Sequence, residues 1–421
     1  MQNADLIIDN ISELLTISGA SKNPKIRGAL DDLGIIKDGA VAISGGRIIF
    51  AGESDQLDSH AKIDRKTKII DAKWNLVMPG FVDCHTHLIF AGSREREWLD
   101  KLGGIDYVAL LKKGEGILST VRSTRKATDE ALASTAMNHL HGMLACGTTT
   151  IEAKSGYGLT LRDEIRILNI LKALGRMQPI DIVSTFLGAH AIPPEFPDSL
   201  SYAKFVIQKM IPEIARLGLA EYCDVFCEKG AFSAKEAKII LEAGSAYGMK
   251  PRMHTDEFND IGGTKVAKDV GAVSVDHLDS VSQQGLEDIK ISGSMAVLLP
   301  GVPFFLGNDA YADAKRVVSY GVPIALATDF NPGTCFCYSI PFIMSLACIK
   351  MKLSPQQAIN AVTINAAHAI GRAGSIGSIE AGKQADLILL GIEDYRQLPY
   401  NIAINPVTTV VKNGKIVLQQ S

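Results

Sequence analysis

Apolar and polar residues alternate with period two at both ends of the chain and with a longer period in between. Near the start, DLIIDN, GAVAISGGRIIFAGE and KIIDAKWNLVMPG read as strands around Gly-Gly and Asn turns. Near the end, ADLILLG leads into PVTTVVKNGKIVLQ, a hairpin pattern with Asn413-Gly414 at its turn. The two all-β ends are expected to fold together as one small composite β-sandwich domain, residues 1–78 with 379–421.

Residues 79–378 are patterned differently. Eight short apolar runs lie there, the first starting just ahead of it at Leu76: LVMPGFVDCH, GTTTIEAKSGYG, DIVSTFLGAH, YCDVFCEK, KPRMHTDE, VSVDHL, MAVLLPG and PIALATDF. Amphipathic stretches with helical spacing, such as LRDEIRILNILKALGRM, separate most of them. Eight strands alternating with helices predict an α/β fold, a (β/α)8 TIM-type barrel. A doubly wound open sheet is the alternative, but neither G-x-G-x-x-G nor G-x-x-x-x-G-K-[ST] appears to favour it.

The runs end in polar residues. His85 and His87 close the first, Glu152 and Tyr157 the second, His190 the third and Glu228 the fourth. His254 and Glu257 close the fifth, His277 the sixth and Asp329 the eighth. In a barrel of this kind the C-terminal strand ends share one face, where active sites lie. His85 and His87 are two apart on a strand, so both imidazoles point one way, as a metal ion requires. His139 and His141 have the same spacing in MNHLHGM, a helical segment, where they diverge and read as ordinary helix histidines. His254 and Asp329 complete a candidate set of three nitrogens and one carboxylate. Taken alone, His254 reads as a hydrogen-bonded core histidine and Asp329 as a helix cap or turn residue. Glu257 suits proton transfer or a substrate N–H, and His277 suits orienting water or taking its proton. The plain alternative for His277 is a structural pair with Asp276. Arg94 suits a substrate carboxylate, although Ser-Arg-Glu-Arg-Glu also reads as a solvated charge run.

Composition narrows the class. The 421 residues are 47% apolar and 21% charged, with a net charge of −3, so no broad basic surface for nucleic acid is expected. Seven scattered cysteines without a C-x-x-C pair suit a reducing, cytoplasmic setting. The start of the chain lacks the pattern of a secretory signal, and no apolar run is long enough to span a membrane.

The pattern P-G-F-V-D-x-H-T-H, with H-x-x-E on the fifth strand, His on the sixth and Asp on the eighth, resembles the metal-dependent amidohydrolase superfamily. Within it, H-L-I-F-A-G-S-R-E-R-E-W, E-A-K-S-G-Y-G-L, T-F-L-G-A-H-A-I-P-P-E, H-T-D-E-F, V-D-H-L and A-T-D-F-N-P-G-T are similar to the imidazolonepropionase family. The resemblance covers nearly the whole chain. It implies hydrolysis of 4-imidazolone-5-propanoate to N-formimidoyl-L-glutamate in histidine degradation. It implies one zinc or iron ion per subunit on His85, His87, His254 and Asp329. It assigns Arg94, Tyr107, Tyr157, His190, Glu257, Asn331, Gly333 and Thr334 to the substrate, and His277, Glu257 and Asp329 to catalysis. It also implies a homodimer. Glu228 closes the fourth strand, where two-metal relatives carry a carboxylated lysine, which favours a single metal. Two other readings remain open at this point, a nucleobase-type deaminase of the same superfamily and a non-catalytic scaffold.

Overall fold

A computed structural model describes residues 2–103 and 116–420. Eight parallel strands form one sheet in sequential order: β1 (Phe81–Thr86), β2 (Thr148–Lys154), β3 (Asp181–Ala189), β4 (Tyr222–Cys227), β5 (Lys250–Thr255), β6 (Ser274–His277), β7 (Met295–Leu298) and β8 (Ile324–Leu326). They coincide with the eight apolar runs, and β1, β2, β6, β7 and β8 are buried along their whole length. Just beyond β8, a parallel bridge pairs Thr86 with Phe330 and brings the sheet nearly to closure. Asp329 N donates to His85 O at 3.0 Å, and His87 N donates to Phe330 O at 2.9 Å. The closing seam thus sets Asp329 beside the paired histidines before any side chain is considered.

Helices fill the connections for local reasons. Leu161–Met177 starts where Thr160 accepts from Asp163 N, and it buries Ile167, Leu168, Ile170, Leu171 and Leu174 along one stripe. Ala234–Ala246 starts at a reciprocal capping box between Ser233 and Glu236. His139 and His141 both lie in the helix Asp129–Ala145, as their segment's spacing foretells.

By internal contacts the chain divides into two compact units, residues 1–84, 141–150 and 339–421, and residues 85–140 and 151–338. The first contains a mixed sheet that joins the two chain ends. Its strands run in the order 415–419, 407–412, 387–390, 76–79, 6–15, 35–44 and 47–53, with 68–71 also pairing on 6–15. Lys412 pairs with Lys415 across the Asn413-Gly414 turn, where both φ angles are positive, as a tight hairpin needs. The strand 6–15 is apolar on both faces: Leu6, Ile8 and Ile11 pack with Val41, Val77 and Leu387, while Ile7 packs with Ala42, Phe50 and Leu57.

At the end of β5, Gly263 opens the next helix against Thr255, and a Cβ there would collide with the Thr255 hydroxyl. Thr255 follows His254 directly, so crowding here reaches the candidate site. Gly263→Ala is expected to lower stability by about 1–3 kcal/mol, read as an earlier thermal midpoint. An unchanged midpoint would mean that the helix start yields freely.

Candidate active site

The residues that close the strands meet within the second unit. Nε2 of His85 and Nε2 of His87 lie 3.4 and 3.3 Å from Asp329 Oδ1. Nε2 of His254 lies 3.5 Å from Nε2 of His87. All four side chains are buried, and His85 Nε2 and Asp329 Oδ1 have no hydrogen-bond partner. Such a cluster is costly unless something positive sits among the donors. Four donors on a tetrahedron with bonds of ~2.0–2.1 Å stand about 3.3 Å apart, so these separations suit a shared metal ion. Among the described residues, the histidine triplet and a His85–His277–Asp329 triplet are close enough to share an ion, as is a third grouping beneath them, Asp224–His254–Asp276.

Outer contacts select the tautomers. His85 Nδ1 donates to Asp276 Oδ2 at 2.7 Å. His254 Nδ1 faces Asp224 Oδ2 at 2.9 Å, off the line of an ideal hydrogen bond. An imidazole whose Nδ1 carries the proton keeps a lone pair on Nε2, which is the metal-binding form. Burial pulls the His87 pKa down to about 4, and burial also holds His190 and His277 well below the usual range. These rings are therefore neutral at neutral pH. For Asp329 burial works the other way, but its contacts with His85 and His87 prevail and hold the carboxyl well below its ordinary range.

Asp276 and His277 are neighbours in sequence, so a regular strand would point them to opposite faces. Asp276 reaches His85, while His277 lines the cavity beside Glu257, with Nδ1 3.8 Å from Glu257 Oε2. The backbone permits this by leaving the extended region, with φ of +83° at His277 and +67° at Leu278. Asp256 and Asp329 also have positive φ, +57° and +50°. Non-glycine residues in this region carry strain, which concentrates at functional sites. The simple pairing of His277 with Asp276 is replaced by an Asp276–His85 contact.

A cavity of about 470 Å³ opens beside the tetrad. His87, Arg94, Tyr157, His190, His254, Glu257, His277, Asp329, Asn331 and Thr334 all line it. His190 Nδ1 donates to Gly156 O at 3.1 Å, since a carbonyl oxygen can only accept, and its ring stacks 4.9 Å from His87. Its Nε2 is consequently an acceptor. The Tyr157 ring stands 5.4 Å from His190. Arg94 is not part of a solvated run: its Nε donates to Glu97 Oε2 at 2.8 Å, and both side chains are only 9% exposed. Glu97 in turn accepts from Gly116 N and Ser119 Oγ, both at 3.0 Å. Gly333 lies against the guanidinium, where a Cβ would collide with Arg94 Nη1. Asn331 is committed to its own loop. It donates to Asp329 Oδ2 at 3.1 Å and accepts from Gly333 N and Thr334 N, which leaves Oδ1 to the tetrad. Glu228 accepts from Phe258 N and Asn259 N and so fixes the turn that presents Glu257. Tyr107 lies outside the described residues.

Beneath the tetrad lies a layer that motif reading missed. Lys154 Nζ reaches Glu152 Oε1 at 2.8 Å and Asp224 Oδ2 at 2.9 Å, and Arg252 Nη2 reaches Asp276 Oδ2 at 3.1 Å. All five charges are buried. Burial alone lowers a lysine pKa, but the Asp224 and Glu152 carboxylates outweigh it and raise that of Lys154. The signal was present: a Lys, an Asp and an Arg inside otherwise apolar strands stay buried only if paired.

Residues 76–417 match the amidohydrolase family. The imidazolonepropionase of Geobacillus kaustophilus (strain HTA426) is 47% identical over 416 residues, 98% of each chain. That of Shouchella clausii (strain KSM-K16) is 47% identical over 98% of this chain and 93% of its own. That of Thermoanaerobacter pseudethanolicus is 47% identical over 97% of each. Among solved structures, a zinc-bound adenosine deaminase from Xanthomonas campestris superposes with a TM-score of 0.73 at 18% identity, over 100% of this chain and 94% of that one. A 5-methylcytosine deaminase from Klebsiella pneumoniae gives 0.73 at 16%, over 99% and 98%. The structural likenesses show a shared fold, whereas the full-length sequence identities reach further. The chain belongs to the amidohydrolase family and, within it, to the imidazolonepropionases.

Proposed function

We propose that this chain hydrolyses the ring C–N bond of 4-imidazolone-5-propanoate to N-formimidoyl-L-glutamate, in the degradation of histidine to glutamate. The observation that carries the reading is the metal-fitting tetrad opening into a cavity that also holds a braced arginine. The hydrolase domain is taken as residues 79–378, which contains all eight barrel strands, although by internal contacts residues 339–378 group with the other unit. His85, His87, His254 and Asp329 would hold one zinc or iron ion. When bound, such an ion brings the pKa of water toward ~7 and supplies a nucleophile at neutral pH.

The protein groups then handle position and protons. Arg94, held by Glu97, offers its remaining N–H groups to the propionate. His190 Nε2 accepts a ring N–H, and Tyr157 closes the same wall. Glu257 stands at the ring with His277 beside it. His277, kept neutral by burial, orients the attacking water. Addition of the water oxygen to the ring carbonyl carbon and cleavage of the C–N bond leave a new carboxylate. The departing nitrogen needs a proton, and Asp329 would pass on the one taken from water. Asn331, Gly333 and Thr334 shape the loop that carries Asp329, and the family resemblance alone assigns Tyr107 to the propionate.

A deaminase reading shares the barrel and the tetrad. Arg94 favours the present one, because a nucleobase has no anionic tail for it. Offering imidazolone propionate, cytosine and guanine separately, with the ultraviolet band of each followed, decides between them. The band of the first should disappear; loss of a nucleobase band alone would overturn the assignment. The same reading makes the enzyme a cytoplasmic homodimer. No disulfide joins its cysteines, and among the described residues no helix is long and apolar enough to cross a membrane. Sedimentation should give twice the 45.2 kDa chain mass.

Asp329→Asn is expected to cut kcat by about 10²–10⁴-fold while the protein stays folded by circular dichroism. Near-normal turnover with full metal content would remove Asp329 from proton transfer. Gly333→Ala should push Arg94 out of line and lower kcat/KM by about 10–100-fold, the worth of one charge-assisted contact of ~1.5–3 kcal/mol. Metal content should not change, and an imidazolone without the propionate should be handled alike by both proteins. An equal loss on that truncated substrate would place the defect elsewhere.

A further inference from the structure

We propose that Lys154 is a positioning residue for the metal centre, a fixed internal cation that fastens the two carboxylates backing His254 and His85. The inference rests on the metal reading of the tetrad and goes beyond its ligands.

The geometry is specific to single oxygen atoms. Asp224 Oδ2 lies 2.9 Å from Lys154 Nζ and 2.9 Å from His254 Nδ1. Asp276 Oδ2 lies 2.7 Å from His85 Nδ1, 3.1 Å from Arg252 Nη2 and 3.8 Å from Lys154 Nζ. One ammonium therefore adjoins both oxygens that hold ligand imidazoles. Its third neighbour, Glu152 Oε1 at 2.8 Å, belongs to the lysine's own strand, where a glutamine would keep an acceptor for the ammonium.

The links cross the barrel. Lys154 ends β2, Asp224 lies on β4, Asp276 on β6, and the histidines lie on β1 and β5. All these side chains are buried, so water does not replace a lost contact. Asp224, His254 and Asp276 are also close enough together to resemble a cation site in their own right. The lysine ammonium already stands against both carboxylates, which gives them a covalently tethered cation in place of a second metal ion. Without it Asp224 Oδ2 loses its ammonium contact and Asp276 Oδ2 is left to Arg252, so the Nε2 lone pair of His254 above all loses its aim.

The test uses Lys154→Met combined with Glu152→Gln, which removes one positive and one negative charge and so leaves the net charge of the cluster unchanged. Zinc affinity is measured by competition with a chromophoric chelator, and the cobalt-loaded protein is examined through its d–d bands. With a fold confirmed by circular dichroism, the double variant should bind zinc about 10–100-fold more weakly and show shifted, weaker cobalt bands. Asp224→Asn should do the same with Lys154 in place. Glu152→Gln alone should stay near the parent protein in both readouts. Parent-like zinc affinity and cobalt bands in the folded double variant would overturn the proposal. So would an equal loss in Glu152→Gln alone, which would trace the effect to charge balance and not to the lysine's contacts. A parent protein that binds no zinc or cobalt would instead overturn the metal reading beneath it.

Discussion

Four donor atoms must point at one another with no proton between them. His85 Nε2, His87 Nε2, His254 Nε2 and Asp329 Oδ1 are held at successive separations of 3.3–3.5 Å in a buried space. In the absence of a cation these lone pairs repel, so the surrounding protein must oppose their separation. The backbone does part of this, since the seam between β1 and the segment beyond β8 fixes Asp329 against His85 and Phe330 against His87. Side chains do the rest. Asp276 and Asp224 address the far nitrogens of two imidazoles, and Asn331 binds the other oxygen of Asp329. Each contact occupies an atom not needed for metal and thereby leaves the needed one available.

That arrangement moves the electrostatic problem one layer deeper. Asp224 and Asp276 are buried anions, and Glu152 adds a third. Desolvating such charges costs several kcal/mol each unless opposite charges adjoin them. Lys154 and Arg252 supply those charges from inside the barrel. The barrel interior is thus divided by chemistry: an ionic layer supports the tetrad, and a cavity opens beside it.

Much of this was legible in the chain because periodicity survives folding. The eight apolar runs became eight strands, and the two-residue spacing of His85 and His87 became a shared face. The same spacing in the helix Asp129–Ala145 gave no such site, since His139 stacks on Phe90 instead. The ionic layer was less legible, because Lys154 and Asp224 belong to no motif and their contacts span about 70 positions of sequence. Arg94 was ambiguous for another reason. A charge run looks solvated until Glu97, Gly116 and Ser119 are known to enclose it. The inward aim of His277 was unreadable from period-two alternation, since it depends on a positive φ that a non-glycine residue rarely adopts.

The deaminases that share this barrel show why the site, and not the fold, must carry a functional argument. A tetrad at the strand ends equips a barrel to activate water against many rings. What distinguishes one ring from another is the wall opposite. Here that wall contains an arginine whose position is fixed from two sides, by the Glu97 carboxylate and by the missing Cβ of Gly333. Glu97 lies after β1, while Gly333 lies in the Asp329–Thr334 loop beyond β8. Asn331 joins that glycine's backbone to the Asp329 carboxylate. The loop that orients the Asp329 carboxylate therefore also sets the space around the Arg94 guanidinium, so the geometry of the tetrad and that of the arginine wall are fixed by one segment.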